Sequence, residues 1–134
     1  MTKTSKTVFL QSLRRCKKND DFIDRFYTRF FATADEVKMM FIHTNINLQK
    51  VKLLKSLEMI VLAIEGIPEA VHQLNERAIS HDRHHLNVKP ELYDYWLESL
   101  LKTVVECDNE YTKEVELAWR EVVGFIVKHM VSKY

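Results

Sequence analysis

The histidines are the first candidates for a functional site in this sequence, since a neutral imidazole can bind a metal or act as a base. Three of the six histidines, His81, His84 and His85, follow one another at i, i+3 and i+4 spacing. On a helix they would share a face and could chelate an ion such as Zn²⁺. No cysteine joins them and no HExxH motif is formed, and the segment has the pattern of a helix end. We therefore do not expect a dedicated zinc site here.

Motifs for nucleophilic or phosphate chemistry are absent from the sequence. There is no GxSxG turn and no glycine-rich loop of the kind that cradles phosphates. Cys16 is flanked by basic residues, a pattern typical of a solvated helix face rather than an activated thiolate, and Cys107 lies far along the chain. With no CxxC motif, the two cysteines favour a reducing compartment, and we expect a cytoplasmic protein.

Composition predicts an ordinary soluble domain. The chain has 134 residues, of which 46% are hydrophobic and 29% charged, and a formal net charge of +1. We expect one domain over residues 1–134, large enough for a core or a pocket for a mid-sized ligand. The balanced charge excludes an electrostatic surface for nucleic acid. Charged residues interrupt the apolar stretch Leu53 to Ile64, so we expect no membrane span, and the polar N-terminus predicts no signal peptide.

The pattern along the chain is that of an all-α protein with six to seven helices. Only two glycines and two prolines interrupt it, and no strand-like alternation occurs. Helical spacing of apolar residues predicts helices over about 4–18, 21–31, 35–41, 48–65, 90–107 and 111–133, and a fifth helix from about 68 to a histidine-rich end at 81–85. We expect Thr33 to Glu36 to form a capping box for the third helix, and Pro90 to open the sixth helix.

Many helices, an aromatic-rich second helix and a histidine at the end of the fifth helix together suit a cofactor pocket. Phe22, Phe26, Tyr27, Phe30 and Phe31 occupy the second helix at helical spacing. A haem needs a neutral imidazole on one side of its iron, an apolar slot for the ring, and polar groups on the other side that decide what binds there. The combination of features in this sequence suits such a pocket.

The residues at this point resemble the globin family, most closely bacterial single-domain and flavohaemoglobin-type globins, with some likeness to globin-coupled sensor domains. The resemblance spans most of the chain and begins with the segment Phe26-Tyr27-Thr28-Arg29-Phe30-Phe31 and the later Phe41. It implies an all-α globin fold around a b-type haem. By this likeness Tyr27 is the distal tyrosine that faces the gas, and Phe41 packs against the haem edge.

The same resemblance implies roles for residues of the fourth and fifth helices. Gln49, with Leu53 four residues later, is similar to the distal glutamine and the pocket-lining leucine of these globins. Without a gap, the family's separation from that glutamine falls on His81 as the proximal ligand of the iron. An insertion before Pro90 makes His84 and His85 the alternatives, but either would break that spacing.

Two further residues depart from the family pattern or lie close to the site. Arg77 stands one turn before His81, where globins usually have an aliphatic residue, and we expect its guanidinium to contact a haem propionate. His43 follows Phe41, and we expect it at the surface or on the propionate side.

The resemblance implies a function in gas binding, with two alternatives from other classes. The first hypothesis is a haem protein that reversibly binds oxygen, as in oxygen transport, and other diatomic gases such as NO and CO. The second is a nitric-oxide dioxygenase served by a separate reductase, because the chain ends at Tyr134, just after the last expected helix. The third is a haem-free regulatory or sensor module with the globin fold, against which His81, Tyr27 and Gln49 argue. We expect a monomer or a homodimer.

Overall fold

The computed structural model describes residues 3–134, which form seven α-helices and no strand. The predicted all-α class is confirmed. No helix in this part of the chain is long and apolar enough to span a membrane. The helices are α1 (Lys3–Lys17), α2 (Phe22–Phe31), α3 (Asp35–Met40), α4 (Ile46–Ile64), α5 (Pro68–His81), α6 (Leu92–Cys107) and α7 (Lys113–Ser132).

Two long helices begin at side-chain caps. The first N–H groups of a helix have no partner within it, so an Asn or Thr oxygen placed just before the helix stabilises its start. Asn45 accepts a hydrogen bond from the Leu48 N–H at 3.1 Å, and Thr112 accepts one from the Val115 N–H at 3.3 Å. The Asn45 cap explains why α4 starts at Ile46, before the predicted start at Leu48.

Glycine and proline fix the junction that leads into α5. Gly66 has φ +80°, a left-handed conformation that glycine adopts without a steric penalty. It lies in the turn that follows the end of α4. Pro68 is the first residue of α5, where its missing N–H costs no helical hydrogen bond. The helix then runs without interruption to its last residue, His81.

One predicted helix cap and one predicted helix start are wrong. No capping box forms at α3, because Ala34 occupies the cap position and the Thr33 hydroxyl instead donates to the Phe30 carbonyl at 2.6 Å. The sixth helix begins at Leu92 and not at Pro90. The Pro90 carbonyl accepts from the N–H three residues later, at 3.1 Å, so the proline lies in a turn that precedes the helix.

The core is built from helix pairs that bring large aromatic side chains together. α1 packs against α7, α2 against α6 and α4 against α5. Phe9 of α1 meets Trp119 of α7 edge to face, with ring centroids 4.7 Å apart, and both side chains are fully buried. Phe22 and Phe26 of α2 are buried against the same core.

A buried polar network ties α1 to the connection between α6 and α7. The Asp108 carboxylate accepts hydrogen bonds from the Ser12 hydroxyl at 2.6 Å and from Arg15 Nη2 at 2.9 Å, and the Trp119 indole N–H donates to the Ser12 hydroxyl at 2.8 Å. Burial of Asp108 favours its neutral form, but the hydrogen bonds from Arg15 and Ser12 outweigh burial and lower the pKa of the carboxyl. The network is therefore charged and fully paired at neutral pH.

Candidate functional site

A largely apolar cavity of about 270 Å³ lies among helices α2, α4, α5, α6 and α7 and the end of α3. The structure brings all six sequence-predicted site residues to its wall. They are Tyr27, Phe41, Gln49, Leu53, Arg77 and His81.

His81 lines this cavity, with one ring nitrogen hydrogen-bonded to its own helix. Its Nδ1 lies 2.7 Å from the carbonyl oxygen of Arg77, one turn earlier on α5. Because a carbonyl oxygen only accepts hydrogen bonds, Nδ1 carries the proton and Nε2 keeps a free lone pair. Burial lowers the pKa of His81, against the opposing effect of the hydrogen bond to Arg77, so the ring is neutral at neutral pH.

The neighbouring histidines do not share this position. α5 ends at His81, so the helical face predicted to carry His84 and His85 stops there, and both side chains are exposed. His85 Nδ1 lies 2.7 Å from Asp82 Oδ1, so this exposed ring is hydrogen-bonded to the aspartate. Within residues 3–134, no group of three histidine, cysteine, aspartate or glutamate side chains is arranged to hold a metal ion.

Tyr27 supplies a protonated hydroxyl within the cavity. The residue is 4% exposed and lies in α2. Burial raises the pKa of Tyr27 to about 12, although the nearby Gln49 amide and the positive charge of Arg77 act in the opposite direction. The Tyr27 hydroxyl is therefore a hydrogen-bond donor at neutral pH. Gln49 is close enough to this hydroxyl to lower its pKa.

Phe41 and Leu53 form apolar walls beside these polar groups. Phe41 follows the end of α3, and its ring centroid lies 6.0 Å from that of Tyr27 and 5.3 Å from that of Phe31. Leu53 is 7% exposed and stands one turn after Gln49 on α4. These contacts hold the Tyr27 ring in a cluster of aromatic side chains.

Arg77 is a half-buried cation on the cavity wall. Among residues 3–134 its guanidinium has no ion-pair partner, whereas most other arginines of this region pair with carboxylates, as Arg15 does with Asp108. His43 is exposed and does not line the cavity. The site thus contains one free positive charge and no free negative one.

Comparison with known proteins places this arrangement in a family. The globin family model matches residues 24–130 of the chain. The chain belongs to the globin family. The predicted family and fold are thereby confirmed, and membership implies that this globin binds haem and a diatomic gas.

A solved bacterial structure supports the assignment over nearly the whole chain. It is the crystal structure of a Pseudomonas aeruginosa PAO1 protein described as structurally highly homologous to a human hemoglobin. It matches this globin with a TM-score of 0.91 and 32% identity, covering 97% of this chain and 98% of that chain. No curated protein matches this globin.

The residues of this globin fit a haem. The cavity walls are mainly apolar, as the porphyrin ring requires, and His81 contributes a neutral imidazole whose Nε2 is free to bind iron. The unpaired guanidinium of Arg77 complements the carboxylates that a haem carries at its edge. The donor set thus matches each chemical part of the cofactor.

Several cavity residues of α6 and α7 were missed by the sequence analysis as site residues. Tyr93 and Trp96 of α6 and Ile126 and Met130 of α7 line the cavity. Their helical spacing is the same as that of ordinary core residues, and the two kinds of position carry the same apolar side chains. No signal in the sequence distinguished them from the core.

Proposed function

We propose that this globin holds haem b in the cavity through His81 and reversibly binds oxygen and other diatomic gases there. The single observation that carries the proposal is the neutral, half-buried imidazole of His81, whose free Nε2 accompanies a hydroxyl donor, Tyr27, in one apolar cavity. When bound, the haem supplies the iron at which a gas molecule binds.

The chain's own residues hold and orient the cofactor. The Arg77 carbonyl keeps the proton on His81 Nδ1, which fixes the tautomer and ring orientation that iron binding needs. Phe41 and Leu53 form an apolar wall that keeps water from the site. Arg77 would pair its free guanidinium with a haem carboxylate.

Tyr27 and Gln49 provide the polar side of the site. The Tyr27 hydroxyl would donate a hydrogen bond to a gas ligand that carries partial negative charge. Gln49 acts as a second donor or orients the tyrosine hydroxyl. Carbon monoxide, which gains less negative charge, benefits less from both residues.

A nitric-oxide dioxygenase activity is the second candidate, favoured by the buried hydroxyl donor of Tyr27 beside Gln49, which would retain oxygen long enough to react. The reaction combines one nitric oxide, one oxygen molecule and one electron to give nitrate. In this proposal the electron comes from a separate reductase. Its test is the rate of nitric-oxide consumption with and without an added reductant.

The test of the main proposal is titration of the haem-free protein with haemin, followed by spectra of the ferric, ferrous, oxygen and carbon monoxide forms. We expect one haem b per chain, identified as its pyridine complex, and spectra that return to the deoxygenated form when oxygen is removed. A protein that retains no haem after gel filtration of the titrated sample would refute gas binding and favour the haem-free regulatory module.

A further inference from the structure

The loop of residues 82–88, which directly follows His81, caps the end of α5. The last carbonyl groups of a helix have no partner within it and need donors from outside. The Leu86 N–H donates to the Ser80 carbonyl at 3.1 Å, and the Val88 N–H donates to the His81 carbonyl at 2.9 Å. The loop therefore holds the main chain of His81 itself.

The shape of this loop includes an unfavourable backbone conformation at Asn87. Its φ is 52°, in the left-handed region, where asparagine is tolerated better than most residues but less well than glycine. The Asn87 N–H donates to the Asp82 carbonyl at 2.8 Å, which closes the loop on itself. A conformation of this kind persists only when surrounding contacts hold it in place.

Tyr134 provides such contacts at both ends of the loop. Its carbonyl oxygen accepts hydrogen bonds from the Arg83 main-chain N–H and from Arg83 Nε, each at 3.1 Å. The Arg83 guanidinium carbon lies 4.8 Å from the centroid of the Tyr134 ring, a cation–π contact. The Tyr134 hydroxyl donates to Asn87 Oδ1, beside the left-handed residue.

We propose that Tyr134 is a positioning residue that clamps the loop of residues 82–88 and, through it, fixes the main chain of His81. Each link is a contact in the structure: Tyr134 binds Arg83 and Asn87, and the loop binds the last carbonyls of α5. The consequence for haem iron rests on the proposed function, whereas the clamp itself does not.

The first test is hydrogen–deuterium exchange at the Leu86 and Val88 amides of the full chain as purified. Tyr134→Phe removes one hydrogen bond, so exchange should be about fivefold faster. Tyr134→Ala also removes the cation–π contact and should raise the rate roughly 10- to 30-fold. Unchanged exchange rates at these two amides in both variants would overturn the proposed clamp. A uniform increase in amide exchange that includes α1 would also overturn it, because the effect would then not be confined to the loop.

Two further variants sharpen the exchange test. Tyr111→Phe is the matched control, because its hydroxyl also donates one hydrogen bond, to Glu116 at 2.9 Å, but at the opposite end of α7 from Tyr134. It should leave the two loop amides unchanged. Asn87→Gly removes the acceptor of the Tyr134 hydroxyl, so adding Tyr134→Phe to it should have no further effect. An additive effect would contradict the assigned hydrogen bond.

The second test reads the consequence for His81 in haem-loaded protein. The iron–imidazole stretching band of the ferrous state should shift or broaden in Tyr134→Ala and move less in Tyr134→Phe. An unchanged band in a variant whose loop exchanges faster would refute the positioning of His81. If no variant binds haem, the proposed function fails, while the exchange results still decide whether the clamp exists.

Discussion

Replacing Tyr27 with phenylalanine should make oxygen leave this globin roughly 10- to 100-fold faster, an estimate that rests on the energy of one charge-assisted hydrogen bond. The substitution removes the hydroxyl and keeps the ring. The ring is held by its neighbours, with its centroid 4.9 Å from that of Phe26 and 6.0 Å from that of Phe41. A change in the dissociation rate therefore reports the hydrogen bond and little of the packing.

The magnitude follows from the state of the Tyr27 hydroxyl. Burial raises its pKa to about 12, so the group is a donor throughout the neutral range. A hydrogen bond to a charged acceptor contributes about 1.5–3 kcal/mol, and each 1.4 kcal/mol is roughly a factor of ten in rate if the transition state for release has lost the bond. Carbon monoxide carries less charge, so its release should change much less.

Stopped-flow displacement of each gas from haem-loaded protein measures both rates. Tyr111→Phe serves as the control, since it removes a tyrosine hydroxyl that does not line the cavity, and its rates should match those of the unaltered protein. Equal acceleration for oxygen and carbon monoxide, or no acceleration for either, would refute the role given to the Tyr27 hydroxyl.

Three more perturbations have defined outcomes. Gln49→Leu should speed oxygen release less than Tyr27→Phe does, and a double-mutant cycle by stopped flow should show non-additive effects, because both residues serve one acceptor. Asp108→Ala should lower the free energy of unfolding in urea by about 3 kcal/mol, since it leaves Arg15 and Ser12 without their buried partner. The lowered pKa of Asp108 means that this stability is fully present above the unfolded value of 3.8 and is lost as pH falls through the folded value, which urea titrations across that range will show. Removing haem should lower the helical content and melting temperature seen by circular dichroism, because haem binds the folded state and fills its cavity; an unchanged melt would contradict this.

The helices that carry the site were predictable because their signals are local. α5 begins at Pro68 as predicted, since a proline at the first helical position marks its start, and it ends at His81, the first residue of the predicted histidine-rich end. The aromatic spacing of α2 likewise predicted the helix that carries Tyr27. The globin resemblance then named five residues, the departure from it at Arg77 gave a sixth, and the structure places all six on one cavity. Their roles there stay predictions.

What the sequence could not predict depends on contacts between distant segments. Nothing near Asp108 indicates that Ser12 and Arg15 will meet it from α1. In the same way, the pairing of Tyr134 with Asn87 arises only when the end of α7 reaches the loop after α5. The failed capping box at Thr33 is a local error, since a hydroxyl can bond to the preceding turn as well as to the next helix.

The measurement that tests the account most directly is the ferrous absorption spectrum of His81→Ala after titration with haemin, compared with His84→Ala and His85→Ala. His81 is the histidine whose neutral ring lines the cavity, whereas His84 and His85 are exposed outside it. We predict that only His81→Ala loses the five-coordinate ferrous spectrum or releases its haem. A normal spectrum in His81→Ala, with loss in either of the other two variants, would contradict the assignment of the iron ligand.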